Sequence, residues 1–103
     1  MSFDVLQTAP AILDLDSIIH YIAVTLKNPK AAIDLLDEYE SRLANLRESP
    51  RFYGPARVER LASTGFRQFN FGNYVAFYKI NDEEHKVYIV RIFYQKQDYI
   101  NKL

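Results

Sequence analysis

The chain has 103 residues, and its 13 lysine and arginine residues balance 13 aspartate and glutamate residues, so the formal net charge is zero. That length supports one hydrophobic core and is too short for two ordinary domains, so residues 1–103 are predicted to form a single domain. With 49% hydrophobic and 25% charged residues, the composition excludes disordered and collagen-like classes. No apolar run reaches the roughly 18 residues of a membrane-spanning helix, and no export signal is visible at the N-terminus. We expect a cytoplasmic protein without a membrane partner.

Cysteine is absent, and histidine occurs only twice. Disulfides, thiolate catalysis and cysteine-based zinc sites are therefore excluded, because each requires a sulfur ligand or nucleophile. We predict that the protein uses no metal and no other cofactor.

The zero net charge hides an asymmetry between the two halves of the chain. Residues 1–50 hold eight acidic and four basic side chains, a net charge of −4, whereas residues 51–103 hold five acidic and nine basic ones, a net charge of +4. A basic half of this kind indicates a negatively charged partner without specifying which.

The first half predicts one short strand and two helices. Residues 3–8 alternate in polarity, as a strand does. Thr8 and Pro10 then suit the cap and first turn of a helix, and Asn28 with Pro29 repeats this signal. The two apolar stripes that follow are Ile12, Leu15, Ile19, Ile22 and Leu26 in the first helix, and Ala32, Leu36, Tyr39, Leu43 and Leu46 in the second. The short link between them makes the helices antiparallel neighbours.

The second half predicts three strands. Residues 49–65 lose periodicity around Pro50, Gly54 and Pro55 and are predicted to form a loop. From Phe66 the period becomes two, with a hairpin turn at Gly72-Asn73 and a nearly continuous apolar strand at 87–93. The predicted fold is α+β in the order β-α-α-β-β-β, with a helical hairpin on one face of a mostly antiparallel four-stranded sheet. The other face is expected to stay open to a partner or solvent.

Several short motifs, in this order and spacing, resemble the RelE/ParE toxins of bacterial type II toxin–antitoxin systems. They are Ala11-x-x-Asp14-Leu15-x-x-Ile18-x-x-Tyr21-Ile22, Leu46-x-x-x-Pro50-x-x-x-Gly54, Gly65-Phe-Arg67, Asn73-Tyr74-x-x-x-Tyr78-x-Ile80, and Val87-x-Ile89-x-Arg91-Ile92 followed by Asp98-Tyr99. The resemblance covers essentially the whole chain.

The resemblance implies a plasmid-stabilisation type of toxin that a cognate antitoxin protein neutralises. In this family the RelE branch cleaves messenger RNA in the ribosomal A site without a metal, which would make the protein an endoribonuclease that inhibits translation. The ParE branch instead inhibits DNA gyrase. A third alternative is a member that only binds its antitoxin. Translation inhibition by mRNA cleavage is the leading prediction, and whether the protein is an enzyme stays open at this point.

For cleavage, the resemblance assigns phosphate binding to Arg67 and Lys96, and an acid or base role to Tyr99, which lies near the family's C-terminal tyrosine. Cations neutralise a phosphorane-like centre, and an acid protonates the leaving oxygen. Arg91 interrupts an apolar strand, where an unpaired charge is costly. We predict that it emerges on the open face beside Arg67, to bind phosphate and acidic residues of the antitoxin. The alternative is a structural ion pair within the fold.

Four features depart from the RelE-like nucleases. Val75 stands where those enzymes have arginine, Tyr94 stands where a histidine is common, and the strand at 67–71 lacks their paired lysines. The isoelectric point, about 6.7, is also low for a ribosome-dependent toxin. The cluster of Arg51, Arg57, Arg60 and Arg67 fits either a phosphate-binding patch or ion pairs with the acidic helices.

Overall fold

The computed structural model describes residues 2–103, apart from the side chain of Ile100. Its elements are β1 (Asp4–Gln7), α1 (Ala9–His20) continued by a π-helical turn (Tyr21–Thr25), α2 (Pro29–Glu48), α3 (Glu59–Ala62), β2 (Arg67–Phe71), β3 (Tyr74–Asn81), β4 (Lys86–Tyr94) and a 3-10 turn (Ile100–Lys102). The predicted α+β order is confirmed. The short helix α3 was not predicted.

The four strands form one mixed sheet in the order β1-β4-β3-β2. β1 runs parallel to β4, and the other two pairs are antiparallel. The predicted turn at Gly72-Asn73 joins β2 to β3, and Gly72 adopts φ +54°, a conformation that glycine tolerates. The Cβ of any other residue there would lie 2.7 Å from Leu35 of α2, so the hairpin turn packs closely against the helix.

Both predicted helix caps are present. The Thr8 hydroxyl accepts the Ala11 N–H at 3.2 Å and also donates to the Val90 carbonyl of β4 at 2.7 Å. The Asn28 side chain accepts the Ala31 N–H at 3.1 Å. Thr8 therefore both starts α1 and ties this helix to the edge of the sheet.

The helical hairpin covers one face of the sheet, which we call the hairpin face. Tyr39, Leu43 and Leu46 of α2 are buried there, as their spacing predicted. The predicted stripe of α1 was partly wrong, because Ile12 and Leu26 are 45% and 54% exposed. The side chains of α1 that pack against this core are instead Ala11, Leu15 and Ile18. The actual stripe is rotated by about one residue from the predicted one, and the π-helical turn shifts the phase again before Leu26.

The other side of the sheet, which we call the second face, is not open, and the expectation that it would be is wrong. Val75, Phe77 and Phe93 are almost completely buried there together with Ala56 and Leu61. Partly buried side chains complete this second core, namely those of Val58, Ala62, Phe66, Tyr99 and Leu103. The segment around α3 and the C-terminal tail therefore close the second face within the chain itself.

Candidate functional site

Arg91 forms an ion pair with Asp14 of α1, and the expectation that it would emerge beside Arg67 is wrong. Its Nε and Nη2 donate to the two Asp14 carboxylate oxygens at 2.7 and 3.0 Å, and the Ile92 N–H donates to the same carboxylate at 2.9 Å. The Arg91 and Asp14 side chains are only 28% and 17% exposed, and the hydrogen bond that Arg91 donates to Asp14 raises the pKa of Arg91. β1 pairs with β4 only as far as Ile89. Beyond that point the Asp14 carboxylate, rather than a strand, accepts the Ile92 N–H of β4, and it also binds the Arg91 guanidinium.

Arg67 lies on the opposite side of the sheet from Arg91. Arg67 and Phe69 are two residues apart in β2 and therefore point to the same face, and the Phe69 ring belongs to the core of the hairpin face. Arg91 instead pairs across the sheet with Phe77 and places its guanidinium 4.8 Å from the Phe93 ring centre on the second face. The two arginines therefore do not converge on one phosphate.

The Arg67 guanidinium binds the preceding loop. Its Nε and Nη2 donate to the Tyr53 carbonyl at 3.1 and 2.6 Å, and Nη2 also reaches the Arg51 carbonyl at 3.5 Å. These contacts hold residues 51–53 against the start of β2. Most of the donors that a phosphate would need are already engaged by the backbone.

Lys96 and Tyr99 lie in the tail that follows β4. The Tyr99 ring stacks on Phe93, with 5.5 Å between centroids and 11° between planes, and it lies 5.2 Å from Phe77. Lys96 is exposed in the turn after β4. The structure thus directs Tyr99 to the second face as a packing residue and leaves the Lys96 ammonium in solvent.

Val75 and Phe77 of β3 lie in an apolar part of the second face, where a charged side chain is unfavourable. Val75 and Phe77 are 1% and 0% exposed, and their neighbours in the second core are apolar. A cation at this position would be stripped of water among aromatic rings, at a large cost in free energy. Where the nucleases of the family carry an arginine, this chain has core packing.

The cluster of Arg51, Arg57, Arg60 and Arg67 matches neither alternative fully, the phosphate-binding patch or the ion pairs with the acidic helices. Arg51 donates two hydrogen bonds to Asp82, at 3.0 and 2.7 Å. It is therefore ion-paired, but with the turn between β3 and β4 rather than with the helices. Arg57 and Arg60 are exposed.

An apolar groove lies where α1 meets the ends of β3 and β4, and the sequence did not reveal it. Its volume is about 580 Å³, and its lining residues are Ser17, Ile18, Tyr21, Leu26, Asn73, Tyr74 and Tyr94. Tyr21 and Tyr94 are 50% and 41% exposed. Burial raises the pKa of Tyr74, and the neighbouring Tyr94 and Tyr21 add to the shift. Apolar walls with tyrosine hydroxyls suit a polypeptide segment.

Among the described residues, no group of three or more histidine, aspartate or glutamate side chains is arranged to hold a metal ion. Within the same part of the chain, no helix has the length and apolar character required to cross a bilayer.

The fold is that of type II toxins from toxin–antitoxin complexes. A structure of the chromosomal ParDE system from P. aeruginosa superposes with a TM-score of 0.65 at 20% identity, covering 88% of this chain and 94% of the other. The RelBE2 complex from Mycobacterium tuberculosis gives a TM-score of 0.62 at 24% identity, covering 91% and 99%. The archaeal RelE–RelB complex from Pyrococcus horikoshii OT3 gives 0.57 at 13% identity, covering 94% and 99%.

The sequence profile of the ParE toxin of the type II toxin–antitoxin system parDE matches residues 5–99. The chain therefore belongs to the ParE toxin family, which confirms the RelE/ParE resemblance and the assignment as a type II toxin. A comparison with curated proteins gives no match.

Proposed function

We propose that this toxin acts by binding DNA gyrase, as the ParE branch does, rather than by cleaving messenger RNA. The observation that carries the proposal is the apolar second face, where Val75 and Phe77 are buried and an arginine would be needed for cleavage. Membership of the ParE toxin family supports the same choice. Gyrase is a cytoplasmic target, so this is where the protein would act, in keeping with a plasmid-stabilisation role.

The positions of the other candidate residues support binding over catalysis. Arg91 is neutralised by Asp14, and Arg67 donates to the Tyr53 carbonyl. Phosphoryl transfer requires several cations converging on one phosphate. The two arginines lie on opposite faces, so they meet that requirement poorly.

Translation inhibition by ribosome-dependent mRNA cleavage is the second candidate, with Lys96 as its most accessible group and the Tyr99 hydroxyl as its possible acid or base. Both follow β4 in one short tail, and the Lys96 ammonium is exposed. This endoribonuclease hypothesis keeps Arg67, Arg91, Lys96 and Tyr99 as proposed catalytic residues. A toxin that only binds its antitoxin is the third.

The proposed partner in all three cases is a cognate antitoxin, and the groove is the surface that suits it best. Tyr21 and Tyr94 are exposed there, and tyrosine is one of the residue types that anchor tight protein interfaces. The exposed Leu26 adds apolar area beside them. An amphipathic antitoxin segment would cover them on binding. This replaces Arg67 and Arg91 as the expected antitoxin contacts, because Asp14 neutralises Arg91 and the Tyr53 carbonyl engages the Arg67 guanidinium.

Two assays on the purified toxin test the proposed function. We expect inhibition of gyrase-catalysed supercoiling at toxin concentrations that leave ribosome-bound messenger RNA intact by primer extension. Codon-linked cuts with unaffected supercoiling would support the nuclease instead. A toxin inactive in both assays that still binds its antitoxin would support the third alternative.

A further inference from the structure

Phe52 is an unusual residue on the surface of this toxin. Its aromatic side chain is 62% exposed, although burial of a phenylalanine ordinarily stabilises a fold. It lies in the loop 49–55, which connects α2 to the segment around α3. Exposed aromatic side chains are over-represented among the residues that dominate protein interfaces.

The loop that carries Phe52 is held rigidly. The Tyr78 hydroxyl donates to the Pro50 carbonyl at 3.1 Å, and the Asn45 side chain donates to the Tyr53 hydroxyl at 2.9 Å. Arg67 holds the Tyr53 carbonyl from the other side. A loop with these fixed points on α2, β2 and β3 loses little conformational entropy when it binds a partner.

The ring of Phe52 is itself supported. It packs edge-on against Tyr53, with 4.9 Å between centroids and 74° between planes, and Tyr53 in turn packs 5.5 Å from Phe69 of the core. The exposed ring is therefore the outermost member of an aromatic row that begins in the hydrophobic core.

The chain segment that begins beside Phe52 is basic. The segment 51–67 holds four arginines and one glutamate, a net charge of +3. Asp82 neutralises Arg51, whereas Arg67 is bonded to neutral carbonyls that leave its charge uncompensated. A partner for this loop would therefore carry acidic side chains around an apolar pocket.

A protein partner explains this surface better than a nucleic acid does. Single-stranded nucleic acids are held by several aromatic platforms in succession. Among the described residues of this loop, Phe52 is the sole large apolar side chain with high exposure. The ring of Tyr53 packs against the core of the hairpin face. One ring beside cations matches a single anchor in a pocket.

We infer that Phe52 is the anchor by which the toxin binds its protein target, its ring entering an apolar pocket rimmed by carboxylates while the exposed Arg57 faces those acids. The target is gyrase if the proposed function holds, and the inference rests on it to that extent. The Phe52 loop and the groove then serve different partners, the loop the target and the groove the antitoxin.

The test compares Phe52→Ala, Phe52→Trp and a matched control, Leu13→Ala, which removes an apolar side chain that is 66% exposed on α1. We expect Phe52→Ala to raise the toxin concentration for half-inhibition of gyrase supercoiling about 30-fold, as loss of an interface anchor does. Leu13→Ala should stay within about threefold of the wild type, and Phe52→Trp, which keeps an aromatic ring at the anchor, should inhibit gyrase at a lower concentration than Phe52→Ala. Antitoxin affinity measured by titration calorimetry should stay within about threefold of the wild type for all three variants.

Three results would overturn the inference. The first is that Phe52→Ala inhibits gyrase at the same concentration as the wild type. The second is that Phe52→Ala loses as much affinity for the antitoxin as it loses potency against gyrase. The third is that Phe52→Ala loses only its binding to single-stranded RNA. If the wild-type toxin does not inhibit gyrase, the proposed function fails separately. Growth arrest on induction then decides about Phe52: relief by Phe52→Ala but not by Leu13→Ala supports the anchor, and unchanged arrest refutes it.

Discussion

The two faces of the sheet are closed in different ways. The hairpin face is covered by two regular helices whose apolar side chains fill a broad core with Tyr39, Leu46 and Phe71. The second face is covered by a four-residue helix and a largely irregular tail, which bury Val75, Phe77 and Phe93. The first arrangement is built from helices and the second from short and largely irregular segments. On the second face, a further charge beside Val75 and Phe77 would lose its water among apolar side chains, at a large cost in free energy.

Replacing Val75 of the second face by a cation should have the largest effect on the free energy of unfolding. Val75→Arg should lower the free energy of unfolding by about 4 kcal/mol, since it buries an unpaired charge. Val75→Ile, which adds one methylene and no charge, should cost about 1 to 3 kcal/mol. Urea denaturation measures both. A stable, folded Val75→Arg protein would show that the second face accommodates an arginine as a nuclease requires.

The ion pair of Asp14 and Arg91 joins α1 to β4 at the junction of the two faces. Asp14→Ala should cost about 2 kcal/mol, because it leaves the Arg91 charge and the Ile92 N–H without their acceptor in a partly buried place. The exposed neighbour Asp16 is the control, and Asp16→Ala should change stability by less than about 0.5 kcal/mol. Equal thermal denaturation midpoints for the two variants would remove the structural role assigned to Asp14.

The contact of Arg51 with Asp82 should have the smallest effect, and one that depends on pH. The hydrogen bond from Arg51 lowers the pKa of Asp82 from its usual 3.8. A carboxyl group with a lowered folded-state pKa stabilises the folded protein above its unfolded pKa, and that contribution is lost as the pH falls through the folded-state value. Asp82→Asn should therefore be slightly less stable than wild type at pH 6, and the difference should be smaller at pH 2. A constant difference between these pH values would contradict the pair.

Sequence patterns predicted the hairpin face well because regular helices repeat their buried side chains. The stripe through Tyr39, Leu43 and Leu46 and the caps at Thr8 and Asn28 all lie in such segments. The prediction for the start of α1 was wrong because the small Ala11, rather than Ile12, is buried against the core. Leu26 was misassigned because a π-helical turn adds a residue to the repeat before it.

The second face and the groove could not be predicted in the same way. Val58, Leu61 and Tyr99 close the second core from segments without a period, so their burial depends on tertiary contacts. Arg91 signalled that a charge in an apolar strand needs a partner, but Asp14 lies 77 residues away in the chain. Such long-range pairing leaves no local trace in one sequence.

Toxicity of a Lys96→Ala, Tyr99→Phe double variant tests the central claim most directly. The phenylalanine keeps the ring that stacks on Phe93 while removing the hydroxyl that a nuclease would use as acid or base. If the second face is a structural core and the toxin acts by binding, induction of the double variant should arrest growth as strongly as the wild type, with cellular messages intact. Relief of growth arrest, together with loss of wild-type cuts in messenger RNA, would contradict the claim and assign catalysis to this tail.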